Sequence, residues 1–206
     1  MPRIQGHAVP ALFPEAGPVS VMLFGEAPGP RGADQSGIPF WGDGAGITVY
    51  RALAATGWAE VPDAAWEDWD GARFRALGLA PKLHGTALSN AYPACPTKDG
   101  EHFHAPSNRD LLDPANLTRL VSELTRAAPL RVIAFGKRAE WVLSRLEKAP
   151  PFELHALPHP SAQGLLQAAP GKGKGLRLED LRAAWETRLR ELLDQARPGP
   201  RPRTLA

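Results

Sequence analysis

The chain has 206 residues, 43% hydrophobic and 22% charged, enough apolar content for one domain to bury a sizeable core and too much for whole-chain disorder. Its 20 glycines and 22 prolines follow no fixed period, which excludes a collagen-like rod and points to many loops. A single cysteine, Cys95, excludes an internal disulfide framework, and a formal charge of +2 neither requires nor forbids a nucleic-acid partner.

The first residues lack the basic-then-apolar pattern of a secretory leader, and no apolar run approaches the roughly 18 residues of a membrane span. A cytoplasmic protein is expected, with no membrane association. Residues 19–24 form a short apolar run that stops at Gly25, and 131–135 repeat the pattern before Gly136, as strands buried on both faces do. Residues 46–56 read as a helix. Residues 57–85, with Trp58, Trp66 and Trp69, read as one or two irregular helices. Residues 86–92 are a less apolar strand, followed by helices over 111–126 and 137–146 and a strand over 152–157 before Pro158. The last helix, 178–195, carries Leu178, Leu181, Trp185, Leu189, Leu192 and Leu193 on one face and stops at the Pro-rich segment after it.

Alternating strands and helices of this length predict a three-layer α/β/α sandwich around a mainly parallel four-stranded sheet, with one domain over residues 1–196 and a disordered basic tail over 197–206. Ligands of such sheets bind beyond the carboxyl ends of the strands, which directs attention to Gly25, Asn90, Gly136 and His159. Three of these strand ends carry unusual residues. The first is followed by Gly25-Glu26-Ala27-Pro28-Gly29 and then Gly37-Ile38-Pro39-Phe40-Trp41-Gly42. The third element holds Ser89-Asn90-Ala91, and the last strand precedes Pro158-His159-Pro160-Ser161.

In that order, over about residues 20–166, these stretches resemble the uracil-DNA glycosylase superfamily, and the first two look most like its family 4 branch. The resemblance implies a monofunctional enzyme of base-excision repair that flips uracil, with other deaminated bases as further candidates, out of single- or double-stranded DNA. It would excise the base by hydrolysis as a monomer, with no metal or organic cofactor. The chemistry of the residues agrees. A flipped base needs a planar apolar contact and hydrogen bonds to its edge. Phe40 offers the plane, and the Asn90 amide can pair with the N3–H and O4 of uracil while mismatching cytosine. Taken outside these motifs, Phe40 would be ordinary core and Asn90 a strand-end cap. His159 matches the family's leaving-group histidine, a donor aimed at the developing oxyanion O2, worth about 3–4 kcal/mol if it acts as oxyanion donors do. Gly25, Ala27, Pro28 and Gly29 would line the substrate. Ser161 would grip a phosphate, and a loop over 162–166 would wedge the duplex with Gln163 or Leu165.

The water activator is open on sequence grounds. Where some glycosylase branches carry an aspartate or asparagine, this chain has Ala27; Glu26, backbone carbonyls and Asp34 are the remaining candidates, and Glu26 would otherwise only orient its loop. The chain also departs from the family 4 pattern in cofactor chemistry. Members of that branch hold an iron–sulfur cluster on four cysteines, and Cys95 alone cannot do so. His102 and His104 form a His-x-His pair with no further ligands in view, and His104 is a remote candidate for the sugar-attacking histidine of a related branch. Gly171-Lys-Gly-Lys-Gly175 lacks the spacing of a phosphate loop and reads as a mobile basic loop, and no serine-hydrolase elbow, zinc helix or dinucleotide fingerprint is present. The rival reading is a glycosylase-fold module that binds DNA or a damaged base without turnover; an α/β enzyme acting on a free nucleotide is a third.

Overall fold

The computed structural model describes residues 7–97, 102 and 104–197. In chain order these build β1 (Val21–Gly25), α1 (Ala33–Ser36), α2 (Gly46–Ala55), β2 (Ala59–Glu60), α3 (Asp63–Glu67), α4 (Gly71–Leu77), β3 (Lys82–Leu83), β4 (Thr86–Asn90), α5 (Asn108–Leu111), α6 (Pro114–Ala127), β5 (Arg131–Phe135), α7 (Lys137–Leu143), β6 (Glu153–Leu157), α8 (Ala162–Ala168), a 3₁₀ turn (Pro170–Gly173) and α9 (Leu178–Gln195). Four strands form one sheet in the order β4-β1-β5-β6, every pair parallel.

Strand alternation divides the core in two. Val21 and Leu23 of β1, with Ile133 and Phe135 of β5, point to a layer that holds Val49, Tyr50 and Leu53 of α2 and Trp185, Leu189, Leu192 and Leu193 of α9. Met22, Phe24, Val132 and Ala134 point the other way, onto Leu120 and Leu124 of α6 and Ala139, Val142 and Leu143 of α7. Central strands apolar at every position but the first of β5, Arg131, are therefore what a sheet covered on both faces requires, and the expected α/β/α sandwich is observed. The free edge of β4 is capped by an antiparallel bridge between Leu12 and Leu88, with backbone bonds of 2.8 and 2.9 Å in the two directions.

Several local expectations are corrected. The helix expected over 111–126 is α6, starting three residues later, at Pro114: Asp113 accepts from the Ala115 and Asn116 amides and Pro114 occupies the first turn, while Leu111 closes the separate short helix α5. Residues 57–85 contain not only α3 and α4 but also an antiparallel pair, Ala59 opposite Leu83 and Glu60 opposite Lys82. The supposed wedge loop is helix α8, capped by Ser161. The basic stretch at 171–175 is not a free loop. Gly173 is buried at φ +76°, where a Cβ would stand 2.5 Å from Leu166 Cδ2. Arg197, expected to open a disordered tail, donates to the Thr56 carbonyl and lies 3.6 Å from Asp194; residues 198–206 of that tail lie outside the described residues. Among the described residues, no helix is long and apolar enough to cross a membrane.

Candidate active site

In a parallel sheet the carboxyl ends of neighbouring strands lie at one edge, and the register sets Gly25 at the end of β1 opposite Asn90 at the end of β4. A Cβ on Gly25 would stand 2.6 Å from Asn90 Oδ1 and 2.7 Å from Phe40 Cε1. Glycine is thus what lets the ring and the amide meet over the strand end. Asn90 is 3% exposed, and its Nδ2 has no hydrogen-bond partner among the described residues. A buried donor without an acceptor costs stability, so it needs a reason. Phe40 is held at φ +61°, outside the usual range for a residue with a side chain. Its carbonyl leaves no room for a Cβ on Gly46, and its ring meets Phe135 edge-on at 5.6 Å.

The next strand end brings in the two titratable groups. A Cβ on Gly136, the residue after β5, would lie 3.4 Å from His159 Cβ and 3.9 Å from Glu26 Oε2. Burial raises the Glu26 carboxyl above the usual carboxylate range, and the Arg138 guanidinium, 3.5 Å from Oε1, pulls it back in part. His159 moves the opposite way: burial pushes its imidazole down to about 4. The ring is therefore neutral at ordinary pH. Its Nδ1 accepts the Ser161 amide at 3.3 Å, which puts the ring proton on Nε2 and makes that atom the donor.

The residues around His159 explain its fixed pose. Ser161 Oγ accepts from the Gly164 amide at 3.2 Å, and a Cβ on Gly164 would stand 2.4 Å from the His159 carbonyl, so the first turn of α8 packs directly on the histidine. Trp185 of α9 donates from Nε1 to the Pro158 carbonyl at 2.8 Å. On the first motif, Ala27 presents only a methyl group, Pro28 is buried, and Gly29 faces Asp43 Oδ2 at 3.1 Å from its absent Cβ. Asp43 accepts the Gly46 amide at 2.6 Å and so braces the loop that carries Phe40.

Not every expected residue joins this cluster. Leu165 is 4% exposed and part of the core beside α9. Gln163 is exposed on the same helix, and the Ser161 hydroxyl serves as a helix cap. Asp34 is buried in α1 and lines a separate cavity of about 160 Å³ with His7 and Arg75. His104 is exposed, its amide bonded to the Pro96 carbonyl at 2.8 Å. Among the described residues no group of three ligating side chains could hold a metal ion.

Two arginines escaped the sequence reading. Arg138 follows Gly136, a strand end the fold rule singled out but to which no chemistry was attached. Arg119 of α6 donates from Nη2 to the Asn90 and Ala91 carbonyls at 2.9 and 3.1 Å and from Nη1 to Glu123 at 2.6 Å. It thereby fixes the backbone of the strand end from behind. Neither had a sequence signal, because each acts through tertiary contacts from a helix. Arg119 also lines a cavity of about 400 Å³ with Tyr92, Arg109 and Asp113. A flat ring, an unsatisfied buried amide, a neutral imidazole donor and a carboxylate at one sheet edge suit a planar heterocycle bearing both N–H and C=O groups.

A sequence model of the uracil DNA glycosylase superfamily matches residues 14–187. Among solved structures, the crystal structure of wild-type SMUG2 from Pedobacter heparinus matches with a TM-score of 0.50 at 13% identity, over 86% of this chain and 77% of that one. At that identity the likeness is one of fold. A comparison with curated proteins found no match.

Proposed function

The chain belongs to the uracil DNA glycosylase superfamily, and from that premise we propose that it excises uracil from DNA, leaving free base and an abasic site. The observation that carries this reading is the buried Asn90 amide, beside the Phe40 ring, whose Nδ2 has no partner among the described residues. Uracil supplies O4 to that donor and N3–H to Oδ1, so the base completes hydrogen bonding that the folded chain leaves open. Cytosine presents the reverse pattern and leaves both groups unpaired.

Reaction follows from the same groups. The N1–C1′ bond breaks with its electron pair leaving on the uracil ring, and charge collects on O2. His159 donates to O2 from Nε2–H, and as a neutral donor it need not lose a charge to do so. Water forms the new bond to C1′ and gives its proton to the Glu26 carboxylate, which also offsets the positive charge on the sugar. Ala27 contributes backbone only. Gln163, exposed on α8, and the Ser161 hydroxyl, which can still donate while it accepts the Gly164 amide, are candidates for contact with the DNA strand.

The test is release of uracil from single- and double-stranded oligonucleotides, read as alkali-labile strand breaks. Wild-type protein cleaves, and His159→Ala loses about 10²–10³ in rate, the scale of one oxyanion donor. Asn90→Ala loses activity and with it the preference for uracil over cytosine. Absence of breaks at high protein concentration removes the excision reading. Salt-dependent DNA binding that persists without release would instead identify a binding module.

A further inference from the structure

Arg138 occupies a position that the excision chemistry does not use, between the candidate carboxylate and a loop. It stands three residues after the end of β5, beyond Gly136, whose φ of +93° turns the chain out of the sheet. From there the guanidinium reaches two acceptors on different segments. Its Nε lies 3.5 Å from Glu26 Oε1, and its Nη1 donates to the carbonyl of Pro106, a buried residue just before α5. An arginine fork can serve two acceptors at once, which a lysine ammonium on a flexible stem does less well. The other carboxylate oxygen, Oε2, faces Gly136, the same glycine whose Cβ would touch His159. One oxygen of Glu26 thus lies beside the arginine, while the other and the His159 ring carbon Cδ2 each stand 3.9 Å from the place a Cβ on Gly136 would take. The Glu26 side chain is only 17% exposed; that burial favours its protonated form, and the Arg138 charge favours the carboxylate. The groups that face it are Arg138 from α7 and the neutral His159 after β6.

We propose that Arg138 is the positioning residue of this site: anchored on the Pro106 carbonyl, it holds the Glu26 carboxylate ionised and aims its free oxygen across Gly136 toward His159. The proposal rests on the reading of Glu26 given above, and it makes the carboxylate usable at lower pH than burial alone permits. Removing the guanidinium favours the protonated acid, so the carboxylate is lost earlier as pH falls.

Two readouts test this on the full chain. Carboxyl-carbon NMR, with the Glu26 signal assigned through Glu26→Gln, follows the titration directly; Arg138→Met moves its midpoint upward, and Arg138→Lys, which keeps the charge, returns most of the way. In uracil excision, Arg138→Met lowers kcat/KM on the alkaline plateau, where only the aim of the carboxylate is lost. On the acid side it falls by a further roughly two- to fivefold, the scale of one partly exposed ion pair, and Arg138→Lys restores that acid side. An unmoved Glu26 midpoint in Arg138→Met, with the fold retained by circular dichroism, overturns the proposal even if excision proceeds normally. A shifted midpoint in a protein that excises nothing supports the pairing and overturns the excision reading instead. Loss of activity at all pH values to the same degree in the Met and Lys variants also overturns it, because a purely structural contact would not be restored by charge.

Discussion

Asn90 is buried with an unpaired donor, and that arrangement sets stability against function at one residue. An orphaned buried amide costs about 1–3 kcal/mol, an expense a folded protein has no cause to keep unless a ligand repays it. Replacing Asn90 by alanine removes the penalty and opens only a small void, so the two effects nearly cancel. We expect the thermal midpoint of Asn90→Ala to lie within about 3 °C of wild type or above it. Free uracil should raise the midpoint of the wild type, since it binds only the folded state, and leave the variant's unmoved. A large fall in the variant's midpoint would mean that Asn90 is structural. Gly25 is the companion case: its lack of a side chain matters because Asn90 Oδ1 and the Phe40 ring occupy the space a Cβ would need.

At the scale of elements, α8 determines what His159 can do. The first turn of this helix packs on the histidine, and its Ser161 amide occupies Nδ1. A doubly protonated ring would have to carry its charge away from water, and that desolvation is why its pKa falls to about 4. The sign of the stability effect follows. The unfolded chain binds the proton below about 6.5 while the folded chain does not until about 4. The contribution of His159 to stability is thus complete above the unfolded value and is lost as pH falls toward the folded one, up to about 3 kcal/mol. His159→Gln should flatten that part of the stability profile, measured by urea denaturation at several pH values; an unchanged slope would place the acid sensitivity elsewhere. Helix α8 also marks the limit of what the sequence made readable. The strands at 131–135 and the helix at 178–195 announced themselves through apolar runs and a one-sided stripe, and the motifs placed Phe40, Asn90 and His159 at strand ends. Residues 162–166, Ala-Gln-Gly-Leu-Leu, are expected as a loop only through the resemblance, and the Ser161 cap with the packing of Leu165 into the core makes them a helix. The β2–β3 pair was unreadable for a different reason: two residues per strand leave no room for alternation.

The whole molecule is two apolar layers that share one sheet, and the sharing has a mechanical consequence. β1 and β5 send alternate residues into both layers, so neither layer can come apart while the other keeps its floor. Two buried leucines test this from opposite faces. Leu120 of α6 and Leu189 of α9 are both fully buried, and truncation of either to alanine should cost about 2–5 kcal/mol. Trp41, Trp58 and Trp185 lie in the layer of α2 and α9, and Trp141 packs on the other, so tryptophan fluorescence in a Trp141→Phe background reports on the first side, whereas far-ultraviolet circular dichroism reports on all helices. With the layers coupled through the sheet, Leu120→Ala shifts the fluorescence transition in urea as far as the dichroism transition, although the substitution lies on the face away from those indoles. The double variant then costs nearly the sum of the two, because the sites share no contacts. Separate transitions for the two signals would show that the layers unfold independently. The site residues would then stand on an edge that one layer alone supports, and loss of activity in urea would follow the fluorescence, since Phe40, Phe135 and Trp185 belong to that layer.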